Sequence, residues 1–556
     1  MKCGSPPTLR WTLALSLGPA ALLFGACAPS PSGLGLSESM ADAVQDAQAP
    51  TAAAATEHDA ALGADAAPVA PPPAPRSDGP RTAFVHLFEW RWDDIADECE
   101  EVLGPTGYAA VQVSPPQEHA QVPSRTWWQR YQPVSYRLES RGGDRAAFAR
   151  MVRRCKAAGV DIYVDAVLNH MSFQPEGVGS AGSPFRKYAY PGLYTDDNFH
   201  RCRRPIGDWN SRTEIHTCEL ATCPDLATEQ PAVRATLTAY LQDLVDLGVA
   251  GVRIDAAKHI PVADLNAILS GVRGPLYVYQ EVLDTAGTGP VTAWEHLAVG
   301  DVTELRYGLD VSRIVREGRL PWLRTLGEAW GYLPSHAAIA FIDNHDNQRG
   351  HGAGQPLTHK ERDRYLLASV FLLAWPYGYP AIMSSYAFTG GDDGPPAAAD
   401  GTTESPRGPG AACNDGWICE HRWPAVRGMV GFRNATAGAF TVTHEWNDGK
   451  MALGFGRGSD GFVVLNGSSD GPLEGSFATG LAPGRYCDVV AGPPEAARCS
   501  GATLEVDDAG RITVAVPPLG AVAVHRGSRL RASAPPPPEA SRDTTPRPAV
   551  PERTSR

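Results

Sequence analysis

A closed (β/α)8 TIM-type barrel, carrying an insert after its third strand and followed by an all-β domain, is the fold that this 556-residue chain predicts. Three observations predict it. Eight short apolar, β-rich runs alternate with amphipathic helical stretches or long loops between residues 81 and 432, the pattern of a parallel sheet, and eight units suffice to close one. The connection 171–226 is too long for an ordinary βα loop and contains no long periodic helix. From about residue 433 short strands and glycine turns take over, which suits a sandwich. An open doubly wound sheet is the competing fold. It normally carries a glycine-rich phosphate loop after its first strand, and "HLFEW" offers none.

In chain order the barrel strands are expected in "TAFVHLF", "YAAVQVSPP", "VDIYVDAVLNH", "VAGVRIDAAKH", "PLYVYQEV", "DVTELRY", "AAIAFIDNHD" and "GYPAIMSSY". The helices between them include "WDDIADECEEVLG", "DRAAFARMVRRCKAAG" and "PAVRATLTAYLQDLVDLG". The all-β domain, 433–527, reads as "MALGFGRG", "GFVVLNGS", "GRYCDVVAG" and "ITVAVPPLGAVAVHR". The barrel thus comprises 81–170 and 227–432, with 171–226 as the insert.

Both ends have another character. Lys2 and Arg10 precede the apolar "WTLALSLGPAALLFGAC", too short for a comfortable membrane span, so 1–27 reads as an export signal. Its small residues before Cys27 look like a lipoprotein processing site, with Phe24 departing from the usual aliphatic residue. Simple cleavage to a soluble product competes with it. Residues 28–80 and 528–556 are rich in Ala, Pro and Ser and are expected to be disordered. The net charge of −13 argues against nucleic-acid binding. Setting Cys3 and Cys27 aside leaves nine of the eleven cysteines, an odd number, in a chain expected to form disulfides. Cys413/Cys419 and Cys487/Cys499 are close in sequence, and no paired CxxC suggests a metal.

Four strand ends are unusually polar: Asp165 to His170, Arg253-Ile254-Asp255, Gln280-Glu281 and Asp343 to Asp346. In a barrel they converge on one mouth. Residues two apart on a strand share a face, so Arg253 and Asp255 lie side by side. The arginine should hold the aspartate ionised, and Glu281, facing that anion, should keep a proton. A charged and a protonated carboxyl flanking one bond are what glycoside hydrolysis requires. A lone Asp at a strand end is more often a helix cap, but four such ends in order are harder to dismiss.

These residues resemble a known family. "DAVLNH", "GVRIDAAKH", "EVLD" and "FIDNHD" look like the four ordered signature segments of the α-amylase family of retaining glycoside hydrolases. "HLFEWRWDDIADECE", "WWQRYQPVSY", "NHDNQRGHGAG" and "CEHRWPAVRGMVGFRN" are similar to the animal-type members and their bacterial relatives. The likeness runs from about 81 to 527. It implies a calcium-binding insert and a Greek-key sandwich. It makes Asp255 the nucleophile, Glu281 the acid/base and Asp346 the transition-state stabiliser. His170 and His345 would bind sugar hydroxyls, with Arg253 beside them. Lys258 and His259 would lie on the leaving-group side, and Trp127, Trp128, Tyr131 and Gln132 on the other. Gly350–Gly354 would be a mobile lid bearing His351.

The same resemblance implies a structural Ca2+ on Asn169 and Asp225 by side chain, and on His216 and His259 by main-chain carbonyl, all oxygen donors. Arg253 and Asn344 match two ligands of an activating chloride. Ala381 stands where a third, basic ligand is expected, so little chloride dependence is predicted. Cys99–Cys155, Cys413–Cys419 and Cys487–Cys499 match family disulfides. Cys202 with Cys218 would be the fourth, leaving Cys223 as the odd thiol. The implied activity is endo-hydrolysis of α-1,4-glucosidic bonds in starch or glycogen by a secreted monomer, or by one held to a membrane through lipid on Cys27. A maltooligosaccharide-forming exo-enzyme, a transglycosylase and a non-catalytic polysaccharide binder are the alternatives.

Overall fold

A computed structural model describes residues 82–352, 354–399, 401–408, 412–495 and 498–530. The expected export signal with Cys27, the linker 28–80 and most of the C-terminal tail lie outside them.

Eight parallel strands close into a barrel. They are β1 (Phe84–Leu87), β2 (Ala110–Val113), β3 (Asp161–Val167), β4 (Gly251–Asp255), β5 (Tyr277–Gln280), β6 (Asp301–Thr303), β7 (Ala338–Ala340) and β8 (Tyr379–Ser384). Each lies within its predicted run. β6 is shorter than "DVTELRY" suggested: Glu304 caps a helix, Leu305–Glu317, by accepting from the Arg306 N–H. "WDDIADECEEVLG" also differs, since the α-helix Trp92–Glu98 gives way to a π-helical turn, Cys99–Leu103. Gly104 ends that turn against the carbonyl of Ala158, where a Cβ would lie only 2.7 Å from the oxygen.

The insert is zipped to the end of β3. Leu226 N–H donates to Asn169 O, and Met171 N–H to Pro224 O, at 3.0 and 3.1 Å. Behind the barrel lie two four-stranded antiparallel sheets between Val442 and His525. Their core is Phe462, Val464, Phe477, Tyr486, Ile512, Val522 and neighbours, and Arg511–Val516 alternates exposed with buried, as a strand with one wet face should. Phe455 packs edge-on against Trp375 of the barrel at 5.1 Å.

The disulfides Cys99–Cys155, Cys202–Cys218, Cys413–Cys419 and Cys487–Cys499 are all present. Cys223, expected as the odd thiol, is instead disulfide-bonded.

Glu98 joins the first helix to the segment after β8. Fully buried, it accepts from His421 Nε2 at 2.9 Å and from Arg422 Nε at 2.7 Å. Burial pushes its carboxyl up, but His421 and Arg422 outweigh that and hold it at about 2. A depressed carboxylate stabilises the fold above its unfolded value, near 4.5, and loses that stabilisation as pH falls toward about 2. Glu98→Gln should therefore cost about 3 kcal/mol at neutral pH. In denaturant titrations its deficit should shrink below pH ~4.5.

Candidate active site

Strand register builds the site. Asp165 on β3 pairs with Arg253 on β4, and Val167 with Asp255. Ile254 pairs with Gln280 on β5. The side chains of Asp165, Arg253 and Asp255 therefore share the interior face near the strand ends. Arg253 Nη1 donates to Asp165 Oδ1 at 2.5 Å and to Asp255 Oδ1 at 2.9 Å. Its Nη2 lies 2.9 Å from Glu281 Oε1. One guanidinium thus contacts both Asp255 and Glu281, which brings the two carboxyl groups to the same cation. Asp165 also accepts from Tyr131 OH at 2.9 Å.

The turn after β4 contributes a donor. Ala256 takes the left-handed conformation (φ 50°, ψ 31°), rare and strained for a residue with a Cβ. This bend directs its N–H to Glu281 Oε2 at 2.9 Å.

Asp165, Asp255, Glu281 and Asp346 are all buried. Arg253 draws the Asp255 carboxyl down, as the sequence suggested. Burial is the larger effect, however, and with Glu281, Asp165 and Asp346 nearby the net direction is up. The expectation that Arg253 alone keeps Asp255 at a low value is corrected accordingly: one cation serves several carboxylates. Burial and then Glu281 push Asp346 to about 8. His345 stacks on Tyr131 at 5.0 Å between rings, and burial next to Arg253 keeps its imidazole neutral.

A cavity opens over these groups. Eight residues expected at the site line it: Tyr131, His170, Asp255, Lys258, His259, Glu281, His345 and Asp346. Leu220, Ala256 and Leu283 line it as well and were not anticipated. Lys258 Nζ donates to Leu283 O at 2.6 Å, which ties the β4 and β5 loops together. Trp209 of the insert, also not anticipated, sets its ring edge-on to His259 at 6.0 Å. Trp127, Trp128, Gln132, Arg253 and His351, also expected to touch sugar, do not line the cavity. Trp127 is fully buried, its Nε1 donating to Gly391 O at 2.8 Å. Gln132 is fully buried too and accepts from Phe173 N–H at 2.8 Å, fastening the insert rather than facing the cavity. Trp128 lines a separate open groove with Thr126, Asp392 and Asp393. His351 of the lid sits 3.5 Å from Asp392.

The oxygen donors expected for a divalent cation are partly assembled. Asn169 and Asp225 are both buried, and Asn169 Nδ2 donates to Asp225 Oδ1 at 3.2 Å. Burial drives Asp225 up to about 7 in spite of a 2.6 Å contact with His200 Nδ1. A buried carboxylate in contact with an amide suits a hard cation, and the short helix Arg212–Thr217 ends in carbonyls without intrahelical partners. His259 approaches the same helix, its Nδ1 3.0 Å from Ile215 O. His200 carried no signal in the sequence.

The halide pocket does not fit its ion. Arg253 and Asn344 line a cavity of about 30 Å³, room for one or two waters, but so do Phe84, Ile339, Phe341 and Ala381. The β1–β8 register sets Ala381 against Phe84. Arg253, the only cation lining it, is already committed to three carboxylates. Activity should therefore be the same in halide-free buffer as in 100 mM-range chloride. A large loss on halide removal, reversed by adding it back, would refute this.

Comparison with known proteins agrees with this geometry. Two family models match, "Alpha amylase, catalytic domain" over residues 106–271 and "Alpha amylase, C-terminal all-beta domain" over residues 445–527. An α-amylase of Thermomonospora curvata is 47% identical over 464 residues, covering 80% of this chain and 74% of its own length. An α-amylase of the scallop Pecten maximus is 41% identical over 454 residues, covering 77% and 89% respectively. Among solved structures, a Glu-to-Gln mutant of α-amylase I from Eisenia fetida in complex with maltohexaose superposes with a TM-score of 0.77 at 38% identity, covering 82% of this chain and 99% of that one.

Proposed function

The chain belongs to the α-amylase family of glycoside hydrolases, and from that premise we propose that it cleaves α-1,4-glucosidic bonds within starch and glycogen chains with retention at the anomeric carbon. The observation that carries this is the single guanidinium of Arg253 spanning Asp255 and Glu281 at the floor of the cavity. Asp255 attacks the anomeric carbon while Glu281 gives its proton to the glycosidic oxygen, so the bond to the leaving sugar breaks as a glucosyl ester forms. Glu281, now ionised, takes a proton from the water that attacks this ester, and the product leaves with its original configuration. Arg253 and the Ala256 N–H hold the two Glu281 oxygens in place. Asp346, with His345 Nε2 3.3 Å away, and His170 would bind sugar hydroxyls, and Lys258 and His259 would face the leaving chain; that all of them line the cavity supports this.

The test is a reducing-sugar assay on soluble starch with product sizing. A falling ladder of mixed oligosaccharides supports internal cleavage. One short product throughout would mark an exo-acting enzyme, and products longer than the substrate a transglycosylase. No release at all would leave a polysaccharide-binding protein.

Asn169 and Asp225, with main-chain oxygens of His216 and His259, would hold a calcium ion, which would compensate the buried carboxylate and tie the insert to β3, next to His170. Saturating calcium at about a hundred times its Kd would add ~2.7 kcal/mol of stability. Chelation should lower the thermal midpoint and calcium, rather than magnesium, should restore it. An unchanged midpoint would remove the assignment.

Four described disulfides fit an oxidising compartment. No described helix is long and apolar enough to cross a membrane. Export of the chain, as a soluble product or as one held to a membrane through lipid on Cys27, completes the reading.

A further inference from the structure

The turn after β7 ends in an arginine that the reaction above does not use. Arg349 closes the short 3-10 turn Asn347–Arg349, which follows His345 and Asp346, and it is buried. Its guanidinium carbon lies 4.9 Å from the ring centre of Phe88, 4.6 Å from that of Tyr386 and 4.2 Å from that of Phe388. Phe88 directly follows β1, and Tyr386 and Phe388 follow β8. A cation from one barrel loop is thus boxed by rings from two others. Its Nε and Nη2 find no hydrogen-bond partner among the described residues. Burying a guanidinium with free donors is costly, and ring faces offset only part of that cost. Natural chains tolerate such violations chiefly where function requires them.

The remaining contacts lead to the site. Arg349 Nη1 donates to His345 O at 3.2 Å, and the Arg349 N–H donates to Asp346 O at 3.0 Å. One residue therefore holds both carbonyls of the His345–Asp346 pair. The rings make the same connection. Tyr386 stacks on Phe88 at 5.8 Å, Phe88 on His345 at 5.1 Å, and His345 on Tyr131 at 5.0 Å. This column of four rings runs from the box to Tyr131, whose hydroxyl donates to Asp165.

Resting on the role given to Asp346 above, we infer that Arg349 is a positioning residue: its boxed guanidinium fixes the His345–Asp346 backbone, and with it the carboxylate that meets the sugar in the transition state. Arg349 is not among the residues lining the cavity, so it acts through its neighbours. The backbone it holds has no sheet ladder of its own, because β7 ends at Ala340. A carbonyl free to rotate there would swing the Asp346 side chain, and a displacement of about 1 Å can cost ~10²-fold in rate. A neutral apolar side chain could fill the box but could not donate to His345 O. A lysine could donate but has no plane to lay against three rings.

The experiment is steady-state kinetics of the full chain on maltoheptaose. Arg349→Met fills the box without charge or donor. Its kcat should fall about tenfold with KM nearly unchanged, the mark of an interaction felt only in the transition state. Arg349→Lys keeps a charge and a donor for His345 O and should recover most of that loss. Phe388→Leu opens one wall of the box and should lower kcat about threefold, again at constant KM. It carries the test if the methionine variant does not fold. Lys360→Met removes a second cation over the Phe388 ring, 3.8 Å from its centre, and should leave kcat as it was. Full kcat in a folded Arg349→Met enzyme would overturn the proposal. So would a raised KM at unchanged kcat, which would make Arg349 part of the substrate-binding surface. An equal loss in Lys360→Met would overturn it too, as general loosening of the box. Asp346→Asn, measured alongside, should lose about a hundredfold or more in kcat. An Asp346→Asn enzyme as fast as its parent would mark failure of the catalytic reading itself, and the proposal would fall with it.

Discussion

Replacing Glu281 by Gln should leave a folded protein that hydrolyses starch roughly 10²–10⁴-fold more slowly, the usual worth of a general acid–base group. Glutamine keeps the shape and can still accept from the Ala256 N–H, which now reaches Glu281 Oε2. It cannot deliver a proton to the glycosidic oxygen. The deficit should therefore depend on the leaving group. An activated aryl maltooligoside, whose phenolate departs without protonation, should suffer much less in the glycosylation step than maltoheptaose. Azide, an anion that needs no base, should restore turnover and give the glycosyl azide of retained configuration. Parallel losses on both substrates, with no response to azide, would remove Glu281 from the acid/base role. Unchanged activity would remove it from the reaction altogether.

Arg253→Gln is expected to be the most damaging change away from the reacting atoms. Its guanidinium contacts Asp165, Asp255 and Glu281 at once. Without it, several buried carboxylates share a pocket with no counter-charge in contact, and breaking a buried ion pair in this way costs about 3–5 kcal/mol. The cluster would respond by taking up protons. Burial and its anionic neighbours already push Asp255 upward, with Arg253 as the leading opposing influence. Removing that influence raises the nucleophile further, so ionised Asp255 appears only at higher pH. The acidic limb of the kcat/KM profile should then move up by about one pH unit or more. Arg253→Lys keeps a charge but no fork. It should fold better, shift the limb less, and still lose rate, because one ammonium cannot span both carboxyl groups. An acidic limb that stays in place in both variants would show that Arg253 does not govern Asp255.

Much of this site was legible in the sequence because its information is periodic and local. Alternation of strand and helix located all eight strands, and the two-residue spacing of Arg253 and Asp255 put them on one face. What was missed depends on direction. The left-handed turn at Ala256 has no marker in sequence, since the residue there is not the glycine such a turn favours. Gln132 and Trp127 lie in a motif that suggested sugar contacts, yet Gln132 fastens the insert and Trp127 is buried against Phe88, His345 and Gly391. His200 meets Asp225 across 25 residues of the insert, and neither lies in a helix or strand whose period would constrain its side chain.

The order of strands, the identity of the acids at their ends and the cysteines available for pairing were settled by the chain itself, since hydrophobic period and residue chemistry are properties of short segments. Which acids share a cation, and hence that Asp255 is driven upward in net, was decided only by closure of the barrel. Closure brings strands far apart in sequence within hydrogen-bonding reach, and burial there acts on every charge at once.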